Sequence, residues 1–283
     1  MSDVWTIAGY GLREAVRRKV FVIVCLLTLA FIGLYWLGNR YTFNHVRDIV
    51  PPAGIDAETF AGAFLFGLAM FGTLFLGVVL AVFLTIGTVR SDAERGLLQP
   101  LVVRPIGRST LLVARFLGAA AVCVPYVLGV YFATMLVTGI EGSWWPDQVV
   151  LPGLELAGGV LVVTALSLLG SVFLSSIANG IAVFMVFGAG LVAGLLNNIG
   201  HVLNSDGLVH AAKIAAWAVP FEALYQDALR GITEETSGLT GFLLRLGPFG
   251  GAEQGGAALR LWALAYVAIV GALALFGFAR RDL

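Results

Sequence analysis

Three long stretches of this sequence carry no Asp, Glu, Lys or Arg: Thr59–Val89, Phe116–Ile140 and Leu156–Ser205. A soluble surface of that extent needs charge to stay solvated. A helix crossing ~30 Å of hydrocarbon instead needs roughly 20 residues without it. Of the 283 residues, 59% are hydrophobic and 12% charged, where a soluble domain has about 25% charged residues. The chain is therefore expected to be an all-α polytopic membrane protein, a single transmembrane domain over residues 1–283 with six transmembrane helices.

In chain order the spans are expected at 20–37, 60–89, 116–138, 152–174, 180–200 and 261–279. In residues 1–19, Val4, Trp5, Ala8, Leu12, Ala15 and Val16 recur at helical spacing, with Arg13, Arg17 and Arg18 mostly off that face. This predicts an N-terminal amphipathic interfacial helix, anchored by Trp5 and the three arginines. No small-residue cleavage site follows the first apolar run, so the segment is not read as a signal peptide. Asn39–Thr59, with Pro51 and Pro52, reads as a polar loop. Pro125 inside span three predicts a kink, because proline frees a backbone carbonyl. Trp144 and Trp145 read as interfacial anchors. The polar break Ser175–Gly180 divides the longest charge-free run into spans four and five. Gly62, Gly67, Gly72 and Gly77 recur every five residues, a spacing that rotates off any single helix face and so predicts no dimerisation stripe. Gly190 and Gly194 form a weak G-x-x-x-G pair that fits a helix–helix contact.

Residues 201–256 are the longest polar region. Phe221, Leu224, Tyr225, Ala228 and Leu229 share one helical face, and Glu222, Gln226, Asp227 and Arg230 the other. Pro220 separates this helix from HAAKIAAWAV, which is too short to span. An extracytoplasmic re-entrant or surface hairpin is expected there, followed by a loose glycine-rich connector over Ser237–Gly256. With six spans both termini share one side. That side holds Arg13, Arg17, Arg18 and Lys19, then Arg90, Arg95, Arg104, Arg108 and Arg115, then Arg280 and Arg281. The opposite side holds only Arg40, Arg47, Lys213, Arg230, Arg245 and Arg260. The excess of positive charge places both termini in the cytoplasm of a plasma (inner) membrane protein.

Catalytic chemistry is poorly supplied. The two lysines, Lys19 and Lys213, do not follow glycine, so there is no Walker A sequence. His45, His201 and His210 have no His or Cys at i+3 or i+4, and no C-x-x-C or H-E-x-x-H occurs. Cys25 and Cys123 fall within apolar runs and read as buried small hydrophobes. No span shows Asp, Glu or His in its interior, with Glu155 near the start of span four. Glu234-Glu235 resembles the start of the glutamate motif of membrane CAAX proteases, but Leu239 stands where that motif has arginine. The chain is thus expected to be no enzyme and to bind no metal or cofactor itself.

One charged insert lies between two uninterrupted apolar runs: residues 90–115, RSDAERGLLQPLVVRPIGRSTLLVAR. Its placement suggests a handle for a soluble partner. The segment resembles the first cytoplasmic loop of ABC transporter permeases of the ABC-2 type. Glu94 and Gly96 match that family's acidic-Gly element, and Leu97, Leu98 and Leu101 its leucine-rich coupling segment. Arg104-Pro105 matches the dipeptide that follows, Arg108 the next basic residue, and Arg115 with Gly118 the start of the next helix. Leu97 replaces a commoner threonine, and Pro100 interrupts the segment. In general texture the chain is nearest the NosY-like group, associated with multi-copper enzyme maturation.

The resemblance implies six spans, cytoplasmic termini and a cytoplasmic coupling helix at 90–115 on which a separate nucleotide-binding subunit docks. ATP and magnesium would then sit in that ATPase partner. The charges of Arg90, Asp92, Glu94, Arg95, Arg104 and Arg108 would orient docking, and Leu97, Leu98 and Leu101 would fill the partner's cleft. A homodimer, or a heterodimer with a similar permease, is implied, and no nucleic-acid role. An exporter is the expected function. The alternatives are a scaffold or maturation factor using the same docking without transport and, further off, an intramembrane enzyme.

Overall fold

The computed structural model describes residues 19–46, 54–85, 108–203, 205–246 and 255–280, and these hold nine helices and no strand. The helices are α1 (Lys19–Val46), α2 (Ala57–Thr85), α3 (Arg108–Gly142), α4 (Leu151–Phe173), α5 (Ser176–Val202), α6 (Asp206–Ala218), α7 (Phe221–Gly231), α8 (Gly238–Leu246) and α9 (Gly256–Ala279). Six of them, α1 to α5 and α9, are long and apolar enough to cross a membrane. The expected six-span, all-helical architecture is therefore present. The interfacial helix expected at 1–19 lies outside the described residues, save Lys19.

Helices α2 and α4 form the centre. About 67% of the apolar window of each is buried, against 17% for α1 and 22% for α9, which are the outer helices. Helix α4 touches α2, α3, α5, α7 and α9. Phe66, Met70, Leu74 and Val78, spaced by four along α2, are fully buried, and Leu156, Val160 and Val163 of α4 belong to the same core. The glycines of α2 face different neighbours. A Cβ on Gly62 would meet Trp144, one on Gly72 would meet Phe31, and one on Gly77 would meet Val127 and Val160. Each glycine admits a bulky side chain from a different helix or loop.

Helix α1 continues through Val46, well beyond 37, so the first part of the expected Asn39–Thr59 loop is helical. Asn39, Arg40, Asn44 and His45 made this stretch look like loop. Tyr35, Asn39 and Phe43 nevertheless recur every four residues and are 7%, 0% and 1% exposed. Asn39 donates to the Tyr35 carbonyl at 2.9 Å, and Phe43 packs on Gly142 at the end of α3. Three polar contacts hold α1 to α3. They are Thr28 with Tyr126 at 2.5 Å, Tyr35 with Thr138 at 2.5 Å, and the Trp36 indole donating to Glu141 at 2.7 Å.

Helix α2 begins at Ala57, inside the expected loop, because Asp56 caps it. The Asp56 carboxylate accepts the backbone N–H groups of Glu58 and Thr59 at 3.1 and 3.2 Å and the Thr59 hydroxyl at 2.6 Å. Those bonds, the Thr59 hydroxyl foremost, hold its pKa below the ordinary aspartate value. Helix α3 starts at Arg108, eight residues earlier than the expected span, and runs unbroken past Pro125. Helix α5 begins at Ser176, so the polar break before it is shorter than expected. The connector expected over Ser237–Gly256 is helical in its first part, as α8. The Thr240 hydroxyl accepts the Asp56 N–H at 2.9 Å, and Leu239 lies against Gly54, so α8 is fixed to the start of α2.

Candidate functional site

The expected docking residues Arg90, Asp92, Glu94, Arg95, Gly96, Leu97, Leu98, Leu101, Arg104 and Pro105 lie outside the described residues. Arg108 is the first residue of α3. What the structure does show is how both roots of that segment are set. On one side, α2 reaches Thr85. Its hydroxyl donates to the Ala81 carbonyl at 2.8 Å and pairs with the Ser167 hydroxyl of α4 at 2.6 Å. Ser167 is fully buried, and its carbonyl accepts the side-chain N–H of Asn179 from α5 at 2.9 Å. On the other side, Leu112 in the first turns of α3 packs into a small core with Leu168 and Val172 of α4 and Ala274 and Phe278 of α9. Both roots therefore rest on the same two turns of α4, residues 167 to 172.

The length of α3 adds to this. Thirty-five helical residues extend about 52 Å at 1.5 Å each, where the hydrocarbon is ~30 Å thick. The helix is thus longer than the hydrocarbon is thick.

At the opposite end of α4 stands a cluster of charges that the sequence reading did not assemble. Glu155 of α4 is 4% exposed and Asp227 of α7 is 7% exposed. Arg260 of α9 reaches both. Its Nε donates to Glu155 Oε1 at 2.7 Å and its Nη2 to Asp227 Oδ2 at 3.4 Å. The other Asp227 oxygen accepts the Gly255 N–H at 3.0 Å. One guanidinium thus ties three helices together. The sequence leaves Arg260 just outside the span expected at 261–279 and puts Asp227 on the polar face of its helix. Asp227 is drawn inward because the buried arc of α7 is wide. At 100° per residue it covers roughly 220°, with Glu222 and Asp227 at its margins beside Phe221, Leu224, Tyr225, Ala228 and Leu229.

The short helices α6 and α7 meet at Pro220, as the proline predicted. Helix α7 packs against α4 and α5. Gly190 and Gly194 of α5 face Phe221 and Glu222 of α7, so this pair serves a contact within the chain. The α3–α4 loop closes over the end of α7. The Asp147 and Gln148 N–H groups donate to the Ile232 and Gly231 carbonyls at 3.3 and 3.1 Å, and the Gln148 side chain donates to Glu234. Glu234 and Glu235 are thus engaged in loop contacts, Glu235 through its backbone N–H to Asp147 at 2.8 Å.

Trp144 turns inward onto Phe66 and Gly62, while Trp145 is 48% exposed. Trp5, Arg13, Arg17 and Arg18 lie outside the described residues. Among the described residues no group of three or more His, Cys, Asp or Glu is arranged to hold a metal. Cys25 and Cys123 are free thiols, the latter buried.

A family model described as "ABC-2 family transporter protein" matches residues 5–283. Similar curated proteins include a probable ABC transporter permease protein NosY of Stutzerimonas stutzeri, 28% identical over 195 residues, 66% of each chain. A protein of the same name from Pseudomonas aeruginosa is 30% identical over 119 residues, 42% of this chain and 39% of that one. The chain thus spans just under two thirds of the first relative's length and about two fifths of the second's.

Proposed function

This chain belongs to the ABC-2 family of transporter proteins, and from that premise we propose that it is the membrane-spanning permease subunit of an ATP-binding-cassette exporter. It is a multi-pass membrane protein. In this reading a separate ATPase subunit, carrying ATP and magnesium, docks on residues 90–115. Glu94, Arg104 and Arg108 steer the encounter, and Leu97, Leu98 and Leu101 fill its cleft. Both termini face the cytoplasm of the inner membrane, and two such chains, identical or similar, form the pathway.

The observation that carries the reading is the setting of the two loop roots. A partner that pulls on 90–107 pulls at Thr85 and at Leu112 together, and both bear on α4. A loop serving only as a connector needs no such common footing.

The test is co-purification of the full chain with a candidate ATP-binding-cassette ATPase from the same cell, followed by ATP hydrolysis and vesicle transport. Glu94→Ala and Arg104→Ala are expected to reduce assembly or stimulated hydrolysis by about tenfold, the effect of losing one charge-assisted contact. If both variants leave assembly and hydrolysis at the wild-type level, the docking assignment is wrong. Hydrolysis stimulated without transport of any tested hydrophobic solute or peptide would favour the scaffold or maturation role over export.

A further inference from the structure

Helices α4 and α9 run side by side, with Glu155 beside Arg260 at their first turns and Leu168 and Val172 packed with Ala274 and Phe278 at their last. The last turns leave a groove of about 490 Å³ between them. Leu169 and Phe173 form one wall, Leu273, Phe276 and Gly277 the other, and Arg280 closes the row at the end of α9. Gly277 lets the Phe173 ring lie on the α9 backbone, where a Cβ would meet it. The groove is open to the outside, since Phe173, Leu273 and Phe276 are 47%, 52% and 56% exposed. Its volume is within the range of small-molecule sites, about 300–1,000 Å³. In a bilayer such a groove is filled, and its walls are apolar along their length.

Arg280 is the first charge after the apolar run of α9. Its N–H donates to the Phe276 carbonyl at 3.3 Å, and its guanidinium lies over the Phe276 ring, 4.0 Å from the centroid. Stacking of this kind occupies one face of the guanidinium and leaves its in-plane N–H donors open to an acceptor. Among the described residues no carboxylate is paired with it. Neither wall brings an acid nearby. Helix α9 contains no Asp or Glu, and the one acid of α4 is Glu155, about 21 Å back along the helix from Leu169.

We propose that this groove binds an anionic phospholipid, with the phosphate held by Arg280 and one acyl chain lying along Leu273 toward Leu169. A planar guanidinium matches phosphate oxygens with paired N–H donors. A cation at the end of an apolar track selects a ligand that is an anion at one end and hydrocarbon behind it. The absence of an acid in the walls selects against a zwitterionic head, whose ammonium would have no partner there. From Arg280 back to Leu273 is about 10 Å of helix, so the groove takes the part of the chain next to the headgroup. Leu169 is shared, because it also packs on the small core of Leu112, Leu168, Val172, Ala274 and Phe278. A chain lying against Leu169 therefore braces the core that seats the start of α3. The site does not depend on the proposed ATPase docking.

The experiment is native mass spectrometry of the full chain, delipidated in detergent and offered phosphatidylglycerol, phosphatidylethanolamine and phosphatidylcholine in equal parts. Retention of phosphatidylglycerol over the other two is expected. Arg280→Gln should lower it about tenfold, as loss of one charge-assisted hydrogen bond does. Leu273→Trp, which fills the groove from an exposed position and keeps the cation, should lower it as far. Arg40→Gln is the matched control, since Arg40 also lies over an aromatic ring, 5.7 Å from the centre of Trp36, away from the groove. It should retain the lipid at the wild-type level. Equal retention of the three lipids overturns the proposal. So does wild-type retention of phosphatidylglycerol in Arg280→Gln or Leu273→Trp, or its loss to the same extent in Arg40→Gln. Competition by soluble glycerol phosphate at the lipid's own concentration would overturn it in favour of a free phosphate ester. A dimer that holds no lipid and is lost in Leu273→Trp would overturn it in favour of a second copy of the chain.

Discussion

Replacing Arg260 by methionine would leave Glu155 and Asp227, 4% and 7% exposed, without the cation they share. Removing one partner of a buried ion pair costs roughly 3–5 kcal/mol, because the remaining charge stays desolvated. Here the guanidinium side chain is 38% exposed, so water already screens part of the interaction and about 2 kcal/mol is the expected loss. For a chain of this size that corresponds to a fall in Tm of roughly 4–8 °C. The assay is thermal denaturation of the purified protein in detergent, followed by tryptophan emission, since Trp262 lies two residues from the substitution. The loss should be local as well as global. Amide exchange should accelerate in Phe221–Gly231, which the arginine ties to α4 and α9, more than where α1 meets α3. The decisive comparison adds Glu155→Gln and Asp227→Asn to Arg260→Met. With no charge left to strand, the triple variant should recover most of the lost stability. If it is less stable than Arg260→Met alone, the cost is packing rather than an uncompensated charge, and the three-helix clamp is refuted.

Asp56→Ala should cost about 1 kcal/mol, the usual value of an N-cap, read as a fall in Tm at neutral pH. The folded pKa of Asp56 is depressed, so its contribution is complete above the ordinary aspartate pKa of about 3.9 and fades as pH falls through the folded value. The difference between wild type and Asp56→Ala should therefore shrink on acidification to about pH 3, and a constant difference would contradict the capping role. Gly142→Ala sets a methyl against the Phe43 ring and should cost about 1–3 kcal/mol. Adding Phe43→Leu should return part of it, and an unperturbed single variant would show that the α1–α3 contact is looser than described. Thr85→Val removes the hydroxyl paired with Ser167, and an effect of about 0.6 kcal/mol is expected for such a bond between membrane helices. A double-mutant cycle with Ser167→Ala measures it, and additive effects would mean the two hydroxyls do not interact.

The spans were legible because charge-free length is nearly sufficient to define them, and Pro220 marks a helix start by its own chemistry. Three features were not. The end of α1 was hidden because Asn39 and Arg40 look like loop residues, and only the four-residue recurrence of Tyr35, Asn39 and Phe43 shows a buried stripe. The charged clamp was hidden because its members are about 105 and 33 residues apart in pairs, and amphipathic counting assigns acidic residues to water by default. A polar residue at the margin of a wide buried arc satisfies the same spacing as one on the exposed face. The start of α3 at Arg108 was obscured by the arginines before span three, which mark where hydrocarbon ends and not where the helix begins.

Helix α4 joins the two ends of the molecule. Its last two turns receive Thr85 and Leu112, the roots of the 90–107 segment, and its first turns hold Glu155, to which Arg260 ties α7 and α9. Helix α4 is continuous from Glu155 to Ser167, with no proline between them to absorb a displacement. A shift imposed at Ser167 must therefore move Glu155, or break a hydrogen bond at one end. Asn179 lies on the same junction and places the start of α5 on it, while Phe187 and Gly190 of α5 lie against Phe221 of α7. Helix α7 is thus reached twice from the loop roots, once through α4 and once through α5. If a partner drives this protein from residues 90–115, the hairpin of α6 and α7 is where the stroke arrives.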